Sequence, residues 1–230
     1  MEYDVLIIGS GPGGYVTAIR AAQLGLKTAV VEKESIGGVC LNWGRIPTKS
    51  LLKSAQAYEY ALHAADYGVS IKGDVEPDFK AMVKRSRDVA TGMSKGVQFL
   101  FRKNKIEVIT GTGKLAGKNS VEVTDENGSK KRYSAKHIVL ATGARSRELP
   151  NLKQDGKRII GYREALSLEK QPESMVVVGS GAIGSEFAYF YHSIGTDVTL
   201  VEFMPTLVPN EDEEVARQLE RSFKNSKMRV

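Results

Sequence analysis

The stretch Asp4–Lys33, DVLIIGSGPGGYVTAIRAAQLGLKTAVVEK, decides the fold. Val5–Ile8 is a short apolar run suited to a buried parallel strand. Gly9, Gly11 and Gly14 follow as G-x-G-x-x-G; a helical pattern runs on to Leu24, Gly25 stops it, and a second β-branched run ends at Glu32. The glycines serve a tight turn, close approach of backbone to a pyrophosphate, and close packing of helix on strand. The helix that opens near Gly11 turns its free N–H groups toward phosphates. Glu32 stands eighteen residues past Gly14, where a carboxylate at the strand tip accepts hydrogen bonds from an adenosine ribose. Strand before, helix after and acid at that distance make a dinucleotide-binding unit of what would otherwise be a glycine-rich turn. A motif so near the start of the chain suits a flavoprotein, although position alone does not separate FAD from NAD.

The 230 residues suffice for one large domain or two smaller ones, and 41% hydrophobic with 26% charged residues is a globular composition. No apolar run reaches membrane-spanning length, so no membrane segment is expected. The run at residues 5–8 is too short for a signal peptide. Cys40 is the only cysteine, which rules out an intramolecular disulfide and suits a reducing, cytoplasmic setting. The net charge of +6 and pI of about 9.2 come from scattered Lys and Arg. Lys130-Lys131-Arg132 is the densest run and lies beside an expected hairpin turn, so it reads as solvated surface and not as a nucleic-acid patch. His63, His137 and His192 have neither metal spacing nor cysteine partners, and no metal site is expected.

After Glu32 comes Ile36–Leu52, IGGVCLNWGRIPTKSLL. With the glycine motif before it, this segment resembles the active-site segment GG-x-C-L-N-x-G-x-I-P-[ST]-K of the FAD-dependent pyridine nucleotide–disulfide reductases, in the form found in dihydrolipoamide dehydrogenases. The resemblance implies two cysteines, five positions apart at a helix start, that cycle between disulfide and dithiol beside the flavin. The first position is Cys40; the second is Arg45. Arginine stays protonated and is no redox thiol, so the implied dithiol relay cannot run through these residues. A guanidinium beside the flavin would favour an anionic reduced flavin, and near Cys40 it would lower the thiol pKa. Without its partner, Cys40 reads equally as an inert small buried residue. Lys49 is implied to lie at the reactive edge of the flavin; the plainer reading is a surface lysine on a helix. Trp43 reads as packing. The resemblance places Gly9, Gly11, Gly14, Glu32, Lys33, Gly38 and Lys49 around FAD.

Downstream, Ser50 to about Tyr67 reads as a helix ended by Gly68. Phe79 through Phe101 reads as a long helix, with Gly92 or Gly96 as places for a bend; its Met and Phe stripe is core packing. Ile106–Leu115 has a strand pattern containing Gly111 and Gly113, and the resemblance sets Gly113 against the FAD adenine. Val121 and Val123 alternate with polar residues before the hairpin signal Asn127-Gly128. These residues predict a small antiparallel meander inserted in the first unit. His137–Gly143 reads as a buried strand ending in Ala141, Thr142 and Gly143, the second implied FAD contact. Arg145 to Lys157 reads as a linker.

Ser174–Phe203 repeats the opening unit. Gly179, Gly181, Gly184, Gly195 and Glu202 stand at a constant offset of 170 residues from Gly9, Gly11, Gly14, Gly25 and Glu32. Two such units imply two dinucleotides, and the resemblance makes the second NAD. Glu202 favours NAD over NADP, because a carboxylate repels a 2′-phosphate. Glu186, two residues after Gly184, is expected to pair with Lys49 between two domains; as a carboxylate near a helix N-terminus it is also favoured by the dipole. Asp212–Phe223 reads as a helix.

The expected fold is α/β: two Rossmann-like dinucleotide-binding units, with residues 1–150 binding FAD and 151–230 opening an NAD-binding domain. The resemblance covers essentially all 230 residues but only the first half of the family's architecture. It implies electron transfer from dihydrolipoyl groups of 2-oxoacid dehydrogenase complexes, through FAD, to NAD, in a homodimer whose contact surface lies mostly in the other half. Cys40, Arg45, Lys49 and Glu186 are the candidate catalytic residues. Two other readings stay open: a dithiol-independent NAD(P)H–flavin oxidoreductase of transhydrogenase or diaphorase type, and a non-catalytic fragment.

Overall fold

The computed structural model describes residues 2–230. The chain forms two compact units. The first runs to Pro47 and resumes from Asp88 to Leu152; the second comprises Thr48–Arg87 and Lys153–Val230.

The first unit opens with β1 (Tyr3–Ile8), α1 (Pro12–Gln23) and β2 (Thr28–Glu32). Proline at the start of α1 costs no hydrogen bond, because the first-turn N–H groups have no partner within the helix. The short α2 (Gly38–Asn42) follows, and α3 (Arg45–Leu62) and α4 (Phe79–Lys103) carry the chain into and out of the second unit. β3 (Glu107–Thr110) then pairs parallel with β2, β4 (Thr112–Gly117) and β5 (Ser120–Thr124) form an antiparallel pair, and β6 (Lys130–Leu140) closes the sheet in the order β3-β2-β1-β6-β5-β4. β6 does two jobs. Lys130–Ser134 pairs antiparallel with β5, and Ala135–Leu140 pairs parallel with β1. The meander is thus an extension of the parallel sheet that folds back over it.

β1 is buried on both faces. Val5 and Ile7 pack with Ala18 and Ala21 of α1 and with Val97 and Phe101 of α4. Leu6 and Ile8 pack with Val121, Val123 and Tyr133 of the meander. This explains a continuous apolar run where a half-exposed strand would alternate.

The second unit continues with α5 (Tyr162–Ala165), β7 (Ser174–Val178), α6 (Ala182–Ser193), β8 (Asp197–Val201) and α7 (Glu213–Asn225). β7 and β8 are parallel, and Arg229 adds a further parallel bridge to Thr199. Its core gathers Phe187, Phe190 and Tyr191 of α6 with Leu51 and Ala55 of α3, Phe79 of α4, and Phe223 of α7. Asp212 caps α7 by accepting hydrogen bonds from the Glu214 and Val215 N–H groups.

Several boundaries differ from expectation. Ile106–Leu115 is two strands, not one. Gly111 adopts φ +144°, where a side chain is disfavoured, donates its N–H to the Glu32 carbonyl, and turns the chain between them. The helix expected over 50–67 begins at Arg45 and ends at Leu62, and Ala64–Tyr67 is a separate 3-10 turn that ends at Gly68. Pro47 is tolerated because it lies in the first turn of α3. α4 runs unbroken through Gly92 and Gly96. The strand expected over His137–Gly143 is the end of the longer β6, and His137 and Leu140 are exposed, not buried.

Gly14 and Gly184 allow α1 and α6 to sit tight on their strands. A Cβ at either would lie 1.9 Å from the carbonyl oxygen of Gly9 or Gly179, whereas one on Gly181 would meet nothing within 4 Å. Gly14→Ala and Gly184→Ala should each cost about 3 kcal/mol or prevent folding. Gly181→Ala should stay within about 1 kcal/mol. Urea denaturation of the three variants checks this order.

Candidate functional site

In the first unit three backbone segments converge on the turn after β1. Gly9, at φ +100°, passes so close to Ala141 that a Cβ would lie 2.2 Å from its carbonyl oxygen. Gly38 abuts Gly11, where its Cβ would lie 2.8 Å from the Gly11 Cα. Gly37 donates its N–H to the Ser10 carbonyl at 3.1 Å. Gly9, Gly11, Gly14, Gly38 and Ala141 therefore come together, with exposed Thr142 and Gly143 following directly. A Cβ on Gly11 would meet nothing within 4 Å, so space is open above the turn at the N-terminus of α1. Backbone held tightly below and open space above fit a dinucleotide pyrophosphate.

Glu32 is bound to this turn. Its Oε2 accepts from the Ser10 N–H at 2.9 Å and the Ser10 hydroxyl at 2.5 Å, and its Oε1 accepts from the Glu34 N–H at 2.9 Å. The second unit repeats the arrangement. Glu202 Oε2 accepts from the Ser180 N–H at 2.8 Å and hydroxyl at 2.7 Å, and Oε1 accepts from the Met204 N–H at 2.9 Å. The Met204 N–H, followed by the Ser180 hydroxyl and N–H, holds the Glu202 carboxyl at about 2, below the usual carboxylate range. Gly179, Gly181 and Gly184 occupy the same places around α6 as Gly9, Gly11 and Gly14 around α1. Ser10 and Ser180 were missed from sequence. The available signal was their identical place in the two G-S-G turns.

The serine hydroxyls also tie down the chain beyond each acid. Ser10 Oγ accepts from the Gly37 N–H at 3.2 Å, and Ser180 Oγ from the Val208 N–H at 3.1 Å. Gly37 sits comfortably at φ +94°. Val208 holds φ +41° despite its branched Cβ, a strained conformation.

Cys40 lies half-buried in α2, beside the core formed by Leu41, Ile7 and Val97. Asn42 braces the segment by donating from Nδ2 to the Ile36 and Gly38 carbonyls. The helix expected to carry both motif positions is broken at Trp43-Gly44. A Cβ on Gly44 would lie 3.0 Å from the Val39 carbonyl oxygen and 3.3 Å from the Cys40 Cα, so the chain turns there. Arg45, exposed, opens α3 as a separate helix.

Gly113 faces the core. Its Cβ would lie 3.1 Å from Ile8 Cγ2 and 3.2 Å from Val31 Cγ1, and packing of the meander alone accounts for a glycine there. Lys33 is exposed next to Glu32. Within the second unit, Lys49 Nζ pairs with Glu186 Oε1. The side chains are 59% and 27% exposed, so the pair adds little to stability. Among the described residues no cluster of His, Cys, Asp and Glu could hold a metal, and no helix is long and apolar enough to cross a membrane.

Comparison with known proteins matches residues 3–230 to the family described as pyridine nucleotide-disulphide oxidoreductase. The dihydrolipoyl dehydrogenase of Rhizobium etli is 53% identical across 96% of this chain and 50% of its own length. That of Zymomonas mobilis is 48% identical across 100% of this chain and 49% of its own. The crystal structure of LpdA from Mycobacterium tuberculosis superposes with a TM-score of 0.86 at 27% identity, covering 98% of this chain and 50% of that one. The chain thus spans about half the length of the curated relatives it matches.

The pinned Glu202 carboxylate has a testable pH signature. Its folded pKa lies below the unfolded value of about 4.3, so its contribution to stability is full above that value and fades as pH falls toward about 2. The stability gap between wild type and Glu202→Gln should be widest near neutrality and close across this window. Urea midpoints measured from pH 7 downward report it.

Proposed function

Because the chain belongs to the pyridine nucleotide-disulphide oxidoreductase family, we propose that it comprises the FAD- and NAD-binding parts of a dihydrolipoyl dehydrogenase-type oxidoreductase, with residues 1–150 serving FAD and 151–230 serving NAD. The observation that carries this reading is the duplicated clamp of Ser10 on Glu32 and Ser180 on Glu202, each beside its own glycine cradle. One cradle could serve many purposes; two of the same build call for two dinucleotides. Bound there, FAD would supply two-electron redox chemistry and NAD would supply hydride exchange.

The chain's own residues bind and orient. Gly11 leaves room for the flavin's pyrophosphate while Gly9, Gly14 and Gly38 let the backbone close up beneath it; in the second unit Gly179 and Gly181 leave room for that of NAD and Gly184 seats α6 on its strand. Each carboxylate has one oxygen that accepts two hydrogen bonds and one that accepts a single bond. The second oxygen retains a lone pair for a ribose hydroxyl. Lys33, Thr142 and Gly143 flank the first nucleotide. Lys49, held by Glu186, serves the reactive edge of the flavin. On this reading, for a protein of the relatives' full length, the electron donor is a dihydrolipoyl group on a 2-oxoacid dehydrogenase complex, the assembly a homodimer and the setting the cytoplasm.

Oxidising a dihydrolipoyl dithiol by thiol–disulfide exchange requires a disulfide as acceptor, and Cys40 has no second cysteine to pair with in these residues. Arg45 in the second position favours a related reading, in which hydride passes between nicotinamide and flavin with no dithiol, as in a transhydrogenase or diaphorase.

The deciding experiment is the visible spectrum of the purified chain before and after anaerobic NADH. The expected result is a flavin spectrum that bleaches. Flavin that stays oxidised, or no flavin at all, leaves only a non-catalytic fragment. In a chain completed to the relatives' length, Arg45→Cys should restore long-wavelength charge-transfer absorbance on partial reduction. A spectrum still lacking that band would place residue 45 away from the flavin.

A further inference from the structure

The two serine clamps differ in the residue that closes them. Ser10 Oγ accepts from the N–H of Gly37 at 3.2 Å, and Ser180 Oγ from that of Val208 at 3.1 Å. Gly37 takes φ +94°, a region open to glycine, and its N–H also reaches the Ser10 carbonyl at 3.1 Å. Val208 takes φ +41° with a branched Cβ, which is unfavourable. Pro209 follows it, and a residue before proline is driven toward extended backbone. The same bond is thus made without strain in the first unit and against strain in the second.

The chain on either side holds Val208 in this conformation. Leu207 is buried in the core of the second unit, and the Val208 side chain packs against that core. The Val208 carbonyl accepts from the Glu211 N–H at 2.8 Å, which turns the chain toward Asp212 and α7. Strain at one residue and the net worth of one hydrogen bond are comparable in size. The Val208 N–H therefore leaves Ser180 more readily than the Gly37 N–H leaves Ser10. When it leaves, the Ser180 hydroxyl is no longer held from that side. Its hydrogen bond to Glu202 weakens as well, because bonds that share a hydroxyl reinforce each other.

We propose that Val208 is a positioning residue that acts through Ser180 and Glu202 to let the second site release its nucleotide, while unstrained Gly37 keeps the first site fixed. This rests on the reading of residues 151–230 as the part serving NAD. A flavin is reduced and reoxidised in place, whereas a nicotinamide nucleotide comes and goes as a substrate, and release of a bound product often limits turnover. The strained joint stands at the site whose ligand must leave.

The test compares the wild-type chain with Val208→Gly, Val208→Asn and Val208→Ala. Glycine and asparagine accept the left-handed region; alanine removes the same packing but keeps a Cβ at positive φ. Without nucleotide, and corrected for intrinsic rates, amide exchange should be about tenfold faster at Val208 than at Gly37. Val208→Gly and Val208→Asn should slow it at residue 208, and Val208→Ala should not. NADH, followed by stopped-flow fluorescence, should leave Val208→Gly and Val208→Asn at least about threefold more slowly than it leaves wild type or Val208→Ala. Equal protection of the two amides in wild type would overturn the proposal. So would slowed exchange at residue 208 with unchanged release of NADH, or Val208→Ala acting like Val208→Gly. A wild-type chain that binds no NADH would instead overturn the nucleotide reading, and the amide comparison alone would then uphold or refute the yielding joint.

Discussion

A carboxylate at the end of a strand, holding the turn at the end of its neighbour, is the interaction on which each unit depends. Glu32 and Glu202 accept both the N–H and the hydroxyl of Ser10 and Ser180. Without that tie, the turn between β1 and α1 would lose two bonds and the register between strand tip and helix N-terminus would be free to drift. With it, the glycine backbone is fixed before any ligand arrives, and binding need not bear the entropy of ordering the loop. The same serine then reaches the Gly37 or Val208 N–H, so one hydroxyl organises three successive pieces of chain.

Much of this was legible in sequence because it is local. The G-x-G-x-x-G turns, their flanking strands and the offset of 170 residues follow from spacing, and β1-α1-β2 and β7-α6-β8 form around them. The hairpin at Asn127-Gly128 also follows from local chemistry: the Asp125 carboxylate accepts from the Asn127 and Ser129 N–H groups, and Gly128 takes φ +80°. What sequence hid depends on partners distant in the chain. Gly111 separates two strands because Glu32 captures its N–H, which a reading of residues 106–115 alone cannot see. Gly113 suggests a ligand contact by motif, while its space is set by Ile8 and Val31. The break at Trp43-Gly44 comes from the close approach of Gly44 to Val39 and Cys40, and a helical pattern does not announce it.

The Lys49–Glu186 pair is solvent-facing, and pairs of that kind are worth roughly 0–1 kcal/mol. The fold does not need it. Its physical interest lies in keeping an ammonium group at a fixed place at the N-terminal end of α3. The core under that end, with Leu51 and Ala55 fully buried, supplies the rigidity that the pair itself cannot.

The contact between Gly38 and Gly11 has a mechanical consequence. The backbone that carries the thiol and the glycine turn at the N-terminus of α1 touch directly, without an intervening side chain to absorb movement. Cys40 lies two residues along from that contact, on a helix too short to move independently of it. The thiol and the cradle therefore behave as a single rigid part. A disturbance that spreads the glycine turn therefore also displaces the sulfur.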